Sequence, residues 1–182
     1  IFFLKCDELF RQARGVFRLL RSREKAHGLR EIIDAIAEKV DGDLKMRSLS
    51  DFLGCTVLIA FFVGAFTVAC TKEMCAFRDS MARLINLKVQ VIGISVNDPF
   101  SNKAFAEKNM LPFLILSDYN RETIKTYDVA ASDFAGLKGY TVAKRSIFIV
   151  DKNGIVRYTW TAENPVVEPD YGEIEKTLAE IE

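Results

Sequence analysis

Apolar and polar positions along the chain fall into two kinds of pattern. Near the N-terminus, Phe10, Ala13, Phe17 and Leu20 recur at helical intervals, flanked by Arg11, Arg14, Arg18 and Arg21, which predicts an amphipathic helix. A second set, Ile32, Ile33, Ala35, Ile36 and Val40, predicts another helix over residues 29–40. Residues 1–40 therefore read as a helical segment ahead of a separate domain spanning 41–182. From residue 41 onward short apolar runs alternate with helical patterns. A β-branched and aromatic run at 55–62 leads through a Gly-containing loop to a helix near 70–84. Residues 88–95 form a near-continuous apolar strand of the kind buried on both faces. A helix at 100–109, a short strand at 113–116 and a helix at 121–127 follow. In the last third, 146–150 and 155–161 flank Asn153-Gly154, a strong hairpin signal. A final helix covers 171–181.

Strands joined by helices and then an edge hairpin predict an α/β fold: a thioredoxin-like three-layer sandwich with a central mixed sheet and flanking helices. One stretch competes with this reading. Residues 52–71 carry no charge over 20 positions, enough for a membrane span. Gly54, Gly64, three threonines and two cysteines weaken that alternative. So does its place as the first strand of a βαβ unit, and a membrane is not expected as a partner.

Composition narrows the chemistry. Twenty-five basic groups balance 25 acidic ones over 182 residues, so no broad basic surface for nucleic acid is expected. The first 30 residues hold eight basic and three acidic groups; this +5 reads as a solvated helix face or a surface for an anionic partner. The chain has one histidine, His27, and four cysteines, Cys6, Cys55, Cys70 and Cys75. A histidine-rich zinc site is excluded, and a disulfide-stapled scaffold would need more cysteines. No glycine-rich nucleotide loop or hydrolase elbow occurs. What remains is chemistry on thiols and carboxylates.

Cys70 stands where a buried strand gives way to a helix. The helix N-terminus offers unpaired N–H groups and the positive end of the dipole, which favour a thiolate. Thr67, three residues earlier, can aim its hydroxyl at that sulfur or at an approaching oxygen. The alternative from local pattern alone is a buried structural cysteine. Cys6 and Cys55 have no evident partner and read as structural or incidental.

Segment 63–79 resembles the peroxiredoxin signature P-x-x-x-T/S-x-x-C, met here by Val63, Thr67 and Cys70. Segments 91–95, 113–118 and 144–154 resemble the same family in the same order, so the likeness runs from about residue 41 to the C-terminus. The resemblance implies a peroxidatic role for Cys70, a hydrogen-bonding role for Thr67 and a charge-stabilising role for Arg145. It makes Glu73 the acid that orients this arginine. Cys75, five positions on, resembles the resolving cysteine of the bacterioferritin-comigratory or Q-type group. Five residues of α-helix separate Cα atoms by ~8–9 Å, and a disulfide needs ~7 Å or less, so the helix must unwind for that bond to form. The family also implies a hydrogen peroxide or small alkyl hydroperoxide substrate, a thioredoxin or glutaredoxin-like reductant, no bound cofactor or metal, a monomer or homodimer, and a cytoplasmic location. Two departures stand out: Val63 replaces the family proline, and residues 1–40 lack the usual opening segment. Two rival readings stay open, a disulfide oxidoreductase using Cys70 and Cys75, and a catalytically impaired interaction or membrane-associated homologue.

Overall fold

A computed structural model describes residues 34–40 and 43–181. The basic helix expected over residues 10–21 lies outside them, as does Cys6. The described residues begin with strands β1 (Asp34–Val40) and β2 (Asp43–Ser48), followed by a 3-10 turn (Leu49–Phe52). Then come β3 (Thr56–Phe61), α1 (Val68–Asn86), β4 (Val89–Ser95), α2 (Pro99–Lys108), β5 (Leu114–Ser117) and α3 (Glu122–Thr126). Two short strands, β6 (Ala130–Ala131) and β7 (Val142–Ala143), precede β8 (Ser146–Val150), β9 (Val156–Thr161) and α4 (Tyr171–Glu180).

Seven strands form one mixed sheet in the order β2-β1-β5-β4-β3-β8-β9. Strands β3, β4 and β5 run parallel, and β8 lies antiparallel to β3 on its other side. This is the α/β sheet with an edge hairpin that the element order predicts. The hairpin β8–β9 turns at Asp151–Gly154, where Gly154 has φ 77°, a left-handed conformation that glycine adopts without steric cost. Asp151 stabilises the turn by accepting from the N–H groups of Asn153 (2.8 Å) and Ile155 (3.0 Å).

The other edge corrects the sequence reading. The helix expected over 29–40 is, over residues 34–40, a strand: β1 pairs antiparallel with β2, Val40 opposite Asp43, and meets β5 at Ala37 opposite Ser117. Apolar spacings of three and four matched a helix, but pairing to the sheet overrides so short a pattern. Asp41-Gly42 between the strands is itself a hairpin signal, and reading it would have found this edge. The uncharged stretch 52–71 contributes β3, its following loop and the first turn of α1. No helix among the described residues is long and apolar enough to cross a membrane.

The core packs both faces of β3, buried from Val57 to Phe61. Phe61, Tyr127 and Phe148 contact one another with ring centroids 4.9–5.7 Å apart. Helix α1 buries Cys70, Glu73, Met74, Phe77 and Leu84, a stripe at intervals of three and four. Packing is close at Gly93 of β4, where an added Cβ would stand 2.5 Å from Ile115 Cδ1 and 3.3 Å from Met74 Sδ of α1. Chain direction from β3 goes first toward β4 and later returns to β8, so the carboxyl end of β3 borders a switch point where open α/β sheets place their sites.

Candidate active site

Past the end of β3 the chain makes a tight loop before α1. Phe66 takes φ 65°, unusual for an aromatic residue, and its ring meets Phe105 edge-on at 5.4 Å. Thr67 is the N-cap of α1 in extended conformation. Its hydroxyl does not cap the helix; it donates to the carbonyl of Gly64 at 3.1 Å. Cys70 is the third residue of the helix and is buried, 1% exposed.

Arg145 reaches this point from the start of β8 and is itself 1% exposed. Its Nη2 lies 3.6 Å from Cys70 Sγ, and its Nη1 donates to Glu73 Oε2. Nε and Nη2 also donate to the main-chain carbonyl of Pro165, at 3.1 and 2.9 Å. The guanidinium is thus oriented from two sides while one edge faces the sulfur. Planar, always charged and rich in donors, arginine suits this geometry better than lysine. The Arg145 guanidinium and the N-terminal turn of α1 both lie against Sγ.

Glu73 is fully buried, and its Oε1 has no hydrogen-bond partner among the described residues. Burial pushes its carboxyl up to about 8 from an ordinary 4.5, against the pull of Arg145. The folded state therefore holds this proton more tightly than the unfolded chain. Its contribution to stability is full below about 4.5 and is lost as pH rises through about 8. The denaturant midpoint of the reduced protein should fall over that window, and Glu73→Gln should flatten the fall. An unchanged slope in the variant would remove Glu73 as its cause.

The structure brings Cys70, Glu73 and Arg145 together, and places Thr67 at the head of the same helix with its proton engaged by Gly64. Cys75 is a free, half-buried thiol further along α1, which runs unbroken from Val68 to Asn86. Cys55, read from the sequence as partnerless, is disulfide-bonded. Sequence reasoning missed the carbonyl of Pro165, a group present in every residue and hence without a motif. It also missed the tie between Lys72 in the first turns of α1 and Glu168, which in turn accepts from the Tyr171 hydroxyl at 3.0 Å. Burial pushes the Tyr171 hydroxyl up, so it remains a donor. Beside Arg145 opens a cavity of about 380 Å³, lined by Val63, Ala131, Phe134, Ala143 and Pro165 among others. The short strands β6 and β7 supply Ala131 and Ala143, with Ala131 opposite Val142 and Ala130 opposite Ala143.

Comparison with known proteins gives the family of the chain. The AhpC/TSA family model matches residues 30–159. Peroxiredoxin Q, chloroplastic, of Populus jackii is 42% identical over 117 residues, covering 64% of this chain and 53% of that protein. The putative peroxiredoxin bcp of Coxiella burnetii is 34% identical over 116 residues, covering 64% and 77%. This chain spans about half the length of the plant relatives it matches. Among solved structures, the peroxidoxin BcpB of Mycobacterium tuberculosis superposes with a TM-score of 0.67 at 25% identity, over 83% of this chain and 93% of that one. Peroxiredoxin Q of Xanthomonas campestris shares the fold, with a TM-score of 0.68 at 21% identity over 86% and 97%. A thioredoxin-like sheet, a cysteine at the mouth of α1 and a matching family model over most of the chain lead to one conclusion: the chain belongs to the AhpC/TSA family and, within it, resembles the peroxiredoxin Q and bcp proteins.

Proposed function

We propose that this protein is a thiol peroxidase that reduces hydrogen peroxide and small alkyl hydroperoxides. The observation that carries the reading is the Arg145 guanidinium 3.6 Å from Cys70 Sγ, held in place by Glu73 and the Pro165 carbonyl. The Cys70 thiolate attacks the nearer peroxide oxygen and the O–O bond breaks. Sulfur keeps that oxygen as a sulfenic acid, while the departing oxygen leaves with the bond's electron pair and takes a proton from water. Arg145 stabilises the charge that develops along this path. Thr67, whose proton is committed to Gly64, retains lone pairs to accept from the peroxide O–H. The apolar cavity beside Arg145 has room for the organic part of an alkyl hydroperoxide.

Cys75 then attacks the sulfenic sulfur, water leaves, and a Cys70–Cys75 disulfide forms within one chain. An external dithiol of the thioredoxin or glutaredoxin kind reduces it by exchange, so the cycle draws its electrons from that partner and uses no metal or bound cofactor. An unbroken α1 keeps the two cysteines too far apart; its first turns must open, releasing Lys72 from Glu168. The sheet that carries this chemistry includes β1, which precedes the boundary at residue 41 expected from the sequence. For compartment, the cytoplasm expected from the sequence stands beside the plastid printed in the plant relatives' names.

Mass spectrometry of the reduced protein after one equivalent of hydrogen peroxide tests the reading. One oxygen added at Cys70, followed by loss of water and two thiols, is expected; oxidation confined to other residues would refute it. Cys75→Ser should react with peroxide at the wild-type rate, then stall as a sulfenic acid or an intermolecular disulfide. Undiminished cycling with thioredoxin would take Cys75 out of the mechanism.

A further inference from the structure

The junction between β4 and α2 holds a polar cluster that the chemistry above leaves unused. Ser95, Asn102 and Ser117 are fully buried there. Asn102 Nδ2 donates to the carbonyl of Leu116 at 2.9 Å, and Ser117 Oγ donates to the carbonyl of Asn97 at 2.6 Å. The Ser95 hydroxyl lies 2.9 Å from Asn102 Oδ1 and 3.2 Å from Asn97 Oδ1, its single proton serving one at a time. The N–H of Asn97 donates back to Ser95 Oγ at 3.3 Å. Asn97 is therefore gripped at both of its main-chain polar groups by two fully buried serines, at the carboxyl ends of two neighbouring strands.

Its side chain reaches out of this cluster to the loop before α1, where Oδ1 accepts the N–H of Ala65 at 2.9 Å. The same oxygen lies against Gly64, where an added Cβ would stand at ordinary contact distance, 3.4 Å. The held N–H belongs to the residue just before Phe66, whose left-handed backbone persists only where the surroundings enforce it. Phe105 supports the Phe66 ring from one side. Asn97 supports the main chain from the other. Two residues further on, Thr67 caps the helix that carries Cys70, while Arg145 arrives from β8 across β3. Alignment of sulfur and guanidinium depends on where that helix begins.

We propose that Asn97 is a positioning residue for the catalytic loop: its Oδ1, anchored by Ser95 and Ser117, holds Ala65 and thereby sets Thr67 and the start of α1 against Arg145. The proposal rests on the reading of Cys70 as the peroxide-reactive thiol. It explains an otherwise unassigned asparagine by what its side chain does, since the amide oxygen satisfies a loop N–H that no strand or helix neighbour serves. A carboxylate would supply the same acceptor, and an aliphatic chain of similar size would not.

The test compares Asn97→Leu with Asn97→Asp in the full chain. Single-turnover loss of the Cys70 thiol on mixing with hydrogen peroxide gives the rate, and thermal melting gives the folded fraction. Misplacement of a reacting group by about 1 Å costs on the order of 10²-fold, so Asn97→Leu should slow the reaction by about 10–100-fold while remaining folded at the assay temperature. Asn97→Asp should restore it to within about threefold of wild type. Should Asn97→Leu fail to fold, Asn97→Ala takes its place against the same Asp variant. A wild-type rate in the Leu or Ala variant overturns the positioning role, and so does an Asp variant as slow as either. A wild-type protein whose Cys70 ignores peroxide overturns the peroxidase reading itself and this inference with it; a reactive wild type with an equally reactive Leu variant overturns only the inference.

Discussion

Replacing Cys70 by serine should abolish peroxide consumption, lowering the second-order rate by about 10³ or more, the scale expected for loss of a nucleophile. A serine hydroxyl is not ionised near neutrality and lacks the soft, polarisable lone pair that cleaves an O–O bond. The buried position is small and the substitution nearly isosteric, so the fold should persist. Hydrogen peroxide disappearance measured beside far-UV circular dichroism checks both halves of the expectation. Retained consumption with Cys70→Ser would move the chemistry to another group.

A second large effect is expected at Arg145, and it has two separable parts. Arg145→Met should cut the peroxide rate by about 10²–10³, as does removal of one preorganised donor from other sites of developing negative charge. It should also destabilise the fold by about 1–3 kcal/mol, the cost of leaving the buried Glu73 carboxyl without its hydrogen-bond donor. The abandoned partner is Glu73, fully buried with one oxygen already unpartnered among the described residues. Because burial favours the protonated form of that carboxyl, the loss of stability should be larger at pH 8 than at pH 5. The double variant Arg145→Met with Glu73→Gln should recover most of the stability and none of the rate. Urea titrations at the two pH values and stopped-flow kinetics separate these outcomes. Recovery of the rate in the double variant would mean that Arg145 acts only through the fold.

Much of this site was legible because its parts sit on strongly patterned elements. The uninterrupted apolar run of β3 and the 3.6-residue stripe of α1 bracket Cys70, and the order of strands and helices set the sheet. Asn153-Gly154 marked the β8–β9 hairpin, which fixes where β8 begins and so where Arg145 stands. At the opposite edge the signals conflicted. The isoleucines before β1 mimic a helical stripe, and only the Asp41-Gly42 pair argues for a hairpin; tertiary pairing decides between them. Other features had no signature to read. The Pro165 carbonyl is a main-chain group. The bond from Asn97 to Ala65 spans 32 positions, and the burial that raises Glu73 comes from packing of elements distant in sequence. Thr67 is placed by its spacing from Cys70, but the turn of its hydroxyl toward Gly64 follows from a loop conformation that residue order alone does not specify.

The hold of Pro165 on Arg145 carries a consequence for how the protein can change over generations. An anchor made of main-chain oxygen is indifferent to which side chains the surrounding loop displays, so residues 163–170 can drift in identity without releasing the arginine. They cannot drift in number. A single insertion or deletion there would carry the carbonyl out of reach and loosen the charge beside the sulfur, so descent should conserve the length of this segment more strictly than its spelling.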